Sequence, residues 1–164
     1  MTFLQRSFPR SFLTRLSFVA LLAGAAGAQA AEPLRIGVPV GLSGANSVVA
    51  PGVVQASQLA ADEINAAGGI LGRQVVLEIA DDASGAVGAQ KAYDTLVFQK
   101  KVDAIIAMET SAARNAALPI VSRGKVPYIY TSFYEGRSCN RWMHVNGWAV
   151  SYTHLRAHET KANL

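Results

Sequence analysis

Eight side chains able to exchange hydrogen bonds fall in three short stretches: Ser43 in G-L-S-G, Glu109, Thr110 and Ser111 in M-E-T-S, and Tyr130, Thr131, Ser132 and Tyr134 in Y-T-S-F-Y. Each stretch follows a short apolar run, so each reads as the polar mouth at the carboxyl end of a strand. Ser111 also stands at the start of a helical pattern, where free backbone N–H groups and the positive end of a dipole suit a carboxylate or carbonyl oxygen. Taken singly, Ser111 reads equally as an N-cap, Ser132 as a turn residue and Ser43 as a turn cap. Taken together they read as a site that holds a small polar molecule by hydrogen bonds.

Reaction chemistry finds less support. No G-x-S-x-G elbow surrounds any of the serines, and His144 is not visibly paired with a serine and an acid, so an exported α/β hydrolase is the weaker reading. The glycines at 41 and 44 do not complete a dinucleotide fingerprint, and no G-K-[ST] follows them, so no cofactor is expected. Asp81 and Asp82 lack a neighbouring His or Cys and read as solvated turn and helix-start charges. His154 and His158 have the spacing of a helical metal pair, but they lie in a tail that carries no other structural signal. No metal is expected.

The elements that must position these mouths alternate along the chain. Leu34 to Val40, Gln74 to Ala80, Asp103 to Ala107 and Val126 to Tyr130 are apolar runs of strand length. Between them lie three helical patterns. The first begins at Pro51 and Gly52, shows Val53, Ala56, Ala60 and Ile64 on one face with Asn65 toward the other, and stops at Gly68-Gly69. The second begins at Ser84 and Gly85 and buries Ala89, Tyr93, Leu96 and Val97. The third carries Ala113, Ala116, Ala117, Ile120 and Val121 and closes at Gly124, with Pro127 beyond it. Short connections between alternating strands and helices predict an α/β fold: a parallel flavodoxin-like or Rossmann-like sheet with helices on both faces and strand order 2-1-3-4. Glu135 to Ala149 is polar and aromatic without clear period and is expected to cross out of the sheet.

Both ends are set apart. Arg6, Arg10 and Arg15 precede an apolar run, Leu16 to Ala26, that ends in Ala28-Gln29-Ala30, so residues 1–30 read as a cleaved secretory signal and the mature chain as periplasmic. From Val150 to Thr160 the sequence resembles the translation of a sequencing-library adapter, and residues 150–164 are read as a non-native tail, leaving 31–149 as one incomplete lobe. The formal charge of +4 resides in the three leader arginines and in the tail, with Arg156, Lys161 and Glu159; the stretch between is neutral. The basic isoelectric point therefore gives no ground for a nucleic-acid partner. Cys139 is the sole cysteine, which rules out an intrachain disulfide.

Three runs carry a family resemblance: L-R-I-G-V-P-V-G-L-S-G, A-A-D-E-I-N-A-A-G-G-I-L-G-R-Q-V-V-L-E-I-A-D-D-A-S-G, and K-V-D-A-I-I-A. They resemble the amino-terminal half of type I periplasmic substrate-binding proteins of the branched-chain amino acid and amide group. Y-T-S-F-Y-E-G-R-S-C-N is similar to the amide- and urea-binding branch. The resemblance implies the truncated first lobe of a two-lobe fold that closes around a small ligand without altering it. It also implies a membrane permease of the ATP-binding cassette type as partner, or alternatively a signalling partner. By the same resemblance Ser111, Tyr130 and Ser132 are ligand contacts. Glu109 stands where amide-binding relatives have an aromatic residue; there a carboxylate would pair with an ammonium or amidine group.

Overall fold

The computed structural model describes residues 31–149 apart from Arg137 and Trp148; the leader at 1–30 and the tail at 150–164 lie outside the described residues. Five strands and three helices follow one another. They are β1 (Leu34–Val40), α1 (Ala50–Ala66), β2 (Val75–Asp81), α2 (Ala86–Asp94, running into a wider π-turn at Thr95–Gln99), β3 (Ala104–Ala107), α3 (Ser111–Gly124), β4 (Tyr128–Tyr130) and β5 (Met143–Val145). The sheet order is β2-β1-β3-β4-β5 and every pairing is parallel. The expected order of the first four strands is observed, and all the loops that leave the strands emerge at one edge.

The fifth strand corrects the expectation that Glu135 to Ala149 leaves the sheet. Met143, His144 and Val145 pair with Tyr128, Ile129 and Tyr130. The Tyr128 N–H donates to the Trp142 carbonyl at 2.8 Å, and the Asn146 N–H donates to the Tyr130 carbonyl at 2.9 Å. A three-residue strand is too short to show a period of two, so its pairing is visible only in these backbone bonds.

One sheet face carries the core. Ile105, Ala107, Tyr128 and Tyr130 point into it and meet Ala89, Tyr93, Leu96 and Val97 from α2 and Ala113, Ala117, Ile120 and Val121 from α3. The wider π-turn lets consecutive Leu96 and Val97 both enter this core. Gly124 is a point of contact, not a stop. A Cβ there would overlap the Val97 side chain, and the left-handed residue that ends α3 is Lys125, with φ 55°.

The opposite face is covered by α1 over β1, where Val38 and Val40 are buried, whereas Ile106 remains 41 % exposed. The face of α1 differs from the expected stripe. Ala50 and Ala61 are its buried residues, while Ala56, Ala60 and Ile64 are exposed. Asn65, expected outward, fixes the rotation: its carboxamide donates to the Val75 carbonyl at 2.9 Å and accepts the Val75 N–H at 2.6 Å. A two-point bond to the first residue of β2, combined with close approach through two alanines, outweighs the larger apolar residues on the other side.

At the amino ends of the strands, ion pairs tie the sheet together: Arg35 with Glu78 at 2.8 Å, Lys100 with Glu78 at 3.4 Å, and Arg73 with Asp103 at 3.4 Å. Among the described residues no helix is long and apolar enough to cross a membrane.

Candidate functional site

The loops after β3, β4 and β5 enclose a cavity of about 420 Å³ at the carboxyl edge of the sheet, lined by Met108, Thr131, Ser132, Phe133, Asn146 and Gly147. Its position is the one an open parallel sheet offers a ligand. Met108 and Phe133 give apolar walls, and Phe133 is 70 % exposed although no core requires it. Gly147 permits the closeness of the third loop, because a Cβ there would overlap the Ser132 carbonyl oxygen. Met108, Phe133, Asn146 and Gly147 were not singled out by sequence reasoning. The last two depend on β5, whose pairing carried no sequence signal.

Of the eight residues singled out, Thr131 and Ser132 line the cavity. Thr131 is held in place, its hydroxyl donating to the Ala107 carbonyl at 2.9 Å. Four others are engaged within the protein. Thr110 is the N-cap of α3, its hydroxyl accepting the Ala113 N–H at 3.1 Å. The Ser111 hydroxyl accepts the Glu135 N–H at 3.0 Å, which ties the loop after β4 to the start of α3. The Ser43 hydroxyl donates to Asp81 at 2.7 Å, and this bond leads the causes that hold the Asp81 carboxyl below its usual range. Tyr134 presents its ring to the Arg114 guanidinium, 5.5 Å from the ring centre.

Three expectations are corrected. Tyr130 does not open into the crevice: it is fully buried, its single hydroxyl hydrogen shared between the carbonyls of Glu109 at 2.9 Å and Phe133 at 3.0 Å. Glu109 is 2 % exposed and points inward, its Oε1 accepting hydroxyl hydrogens from Tyr93 at 2.8 Å and from Tyr128. It therefore does not pair with a charged group in the cleft. Burial pushes its pKa up to about 7 against the opposing effect of the two phenols. Asp82, read as a solvated charge, is also fully buried, and burial raises its pKa. A lone acid in a polar loop looks like surface in a sequence; only the phenols from α2 and β4 make its burial affordable.

Arg114 is the other side chain that the sequence concealed. It sits 1 % exposed in the first turns of α3 and stacks on Tyr130 at 5.2 Å. It donates to the Glu135 carbonyl at 2.9 Å and to the Ser138 hydroxyl at 3.3 Å. With Ser111 it fixes the path of the chain leaving β4.

The profile described as "Periplasmic binding protein" matches residues 33–157. The chain belongs to this family, and its parallel α/β sheet is the first lobe of the type I periplasmic-binding-protein fold. No curated protein is significantly similar to it. Among solved structures it is similar to the branched-chain amino acid transporter substrate binding protein LivJ from Streptococcus pneumoniae in complex with isoleucine. The identity is 30 %, the TM-score 0.66, and the match covers 71 % of this chain and 34 % of that one. Similarity to the leucine binding protein LivK from Thermotoga maritima reaches a TM-score of 0.67 at 23 % identity, over 76 % and 35 % of the two chains. A solute binding protein of an ABC transporter from Rhodopseudomonas palustris, in complex with 3,4-dihydroxy benzoic acid, gives a TM-score of 0.61 at 20 % identity, covering 71 % and 32 %. The chain thus spans about a third of the length of these proteins. The family is one of periplasmic binding proteins, and several of the solved structures similar to this chain are described as parts of ABC transporters.

Proposed function

We propose that the chain is the solute-binding component of an ATP-binding cassette importer, exported to the periplasm by cleavage of residues 1–30. It captures a small polar molecule, a branched-chain amino acid or an amide or urea-like solute, between this lobe and a second one, and presents the closed form to a membrane permease. The observation that carries the reading is the cavity at the carboxyl edge, where Thr131, Ser132 and Asn146 meet the apolar walls of Met108 and Phe133. Polar groups on one side and apolar walls on the other suit an aliphatic molecule with a polar head. The isoleucine carried by the Streptococcus pneumoniae relative favours the amino acid within that class.

Thr131 and Ser132 are the direct contacts from this lobe, joined by Asn146. Ser43, Thr110, Ser111 and Tyr134 shape the surrounding loops through the bonds already described, and Glu109 and Tyr130 support them from below. Nothing in this arrangement activates a nucleophile, so the solute leaves as it entered.

The test is calorimetric titration of the full-length product of the locus with leucine, isoleucine, valine, acetamide and urea. One class is expected to bind saturably and to be recovered unchanged. Ser132→Ala and Asn146→Ala are each expected to weaken binding about tenfold, the loss of one hydrogen bond. Turnover of an ester or amide without saturable binding of any of the five solutes refutes the proposal.

A further inference from the structure

Asp82 ends the turn out of β2 and Glu109 the turn out of β3, and their carboxyls come within hydrogen-bonding reach of each other beneath the end of β1. They are 0 % and 2 % exposed. Each has one oxygen in use and one idle. Asp82 Oδ1 accepts the Ser84 N–H at 2.7 Å, and Glu109 Oε1 takes the two phenolic hydrogens. Asp82 Oδ2 and Glu109 Oε2 are buried without a partner, and the only other such side-chain atom among the described residues is Arg114 Nη1.

The groups that meet the pair are neutral, Tyr93 from α2, Tyr128 from β4 and Ser84 from the loop after β2, and the exposed carboxylate of the adjacent Asp81 adds only further negative charge. The one buried cation among the described residues, Arg114, donates elsewhere, to Asn115, Glu135 and Ser138. Two ionised carboxylates in such a place would repel each other with no countercharge. A single hydrogen between the two idle oxygens satisfies both at once and leaves one negative charge, spread over the pair and the phenols.

We propose that Asp82 and Glu109 share one proton between these idle oxygens, and that this proton fastens the β2–α2 loop to the β3–α3 loop, making Glu109 a positioning residue for the cavity edge. Two consecutive left-handed residues, Ala83 with φ 50° and Ser84 with φ 54°, adjoin the fastening on one side, a conformation that non-glycine residues hold only when their surroundings fix it. On the other side the Glu109 carbonyl holds the Tyr130 hydroxyl, so the fastening reaches the loop that carries Thr131 and Ser132. The inference concerns the loops themselves and stands apart from the solute reading; its test uses no ligand.

Infrared difference spectra of the unmodified chain, recorded from about pH 5 to about pH 9, provide the first measurement. The carbonyl stretch of a protonated carboxyl is expected to persist at about pH 6, where exposed carboxyls are ionised, and to fade on further alkalinisation. Its absence at about pH 6 overturns the proposal. The second measurement is the melting temperature across the same range. In the unmodified chain it should fall as pH rises from the ordinary glutamate range toward neutrality; in Glu109→Gln, whose amide supplies the hydrogen permanently, that fall should disappear. An unchanged slope in Glu109→Gln overturns the proposal. Should that variant fail to fold, Asp82→Asn takes its place with the same two outcomes, and the infrared band decides independently of both.

Discussion

Replacing Arg114 by methionine keeps the length and apolar character of the stem and removes the guanidinium. The perturbation removes the donors to the Glu135 carbonyl at 2.9 Å and to the Ser138 hydroxyl at 3.3 Å, and the stacking on Tyr130 and Tyr134 at 5.2 and 5.5 Å. A hydrogen bond from a charged donor contributes about 1.5–3 kcal/mol, and a partly desolvated cation–π contact about 1 kcal/mol. Against this, methionine removes the buried Nη1 that has no partner, returning on the order of 1–2 kcal/mol. The net expectation is a loss of about 4 kcal/mol, or roughly 16 °C in Tm for a lobe of this size, followed by circular dichroism. Arg114→Lys, which keeps the charge but cannot span the separate acceptors, should lose nearly as much. A shift below about 2 °C in both variants would refute the view that Arg114 holds the chain leaving β4.

Gly147→Ala should cost about 1–3 kcal/mol and weaken solute binding, because the added methyl displaces the Ser132 carbonyl; denaturant titration and calorimetry on one sample separate the two effects. Thr110→Ala should cost about 1 kcal/mol through loss of the cap on Ala113, with Thr110→Ser restoring most of it in chemical denaturation. For pH, the proton on Glu109 is bound more tightly in the folded chain, at about 7 against 4.5, so its contribution is full below the lower value and lost as pH rises to the upper one. The loss should amount to roughly 3 kcal/mol in urea denaturation between those values, and stability that rises across the window would contradict the sign.

The sheet was legible in the sequence because its first four strands are apolar runs separated by helical periods, and short connections of that kind permit few topologies. The start of α3 was also legible, although its cap is Thr110 and not Ser111, one residue from the position read in the sequence. What stayed hidden depends on partners distant along the chain. Glu109 is inward because Tyr93 and Tyr128 arrive from two other elements. Asn65 sets the rotation of α1 because the first peptide of β2 lies beside it, and Asn146 reaches the cavity because three residues pair in β5. An isolated polar side chain gives no indication of such company: helical period places Asn65 on the outer face, and position after a strand places Glu109 in the cleft.

The ion pairs of Arg35, Glu78, Lys100, Arg73 and Asp103 lie at the amino ends of the strands, and the cavity walls at the other. Exchange of Met108, Phe133 or Asn146 side chains leaves the ladder of backbone bonds and the charged base untouched. A lobe built this way can change its cavity lining by a few side-chain exchanges at little thermodynamic penalty, so kindred chains can share a scaffold and differ at this edge.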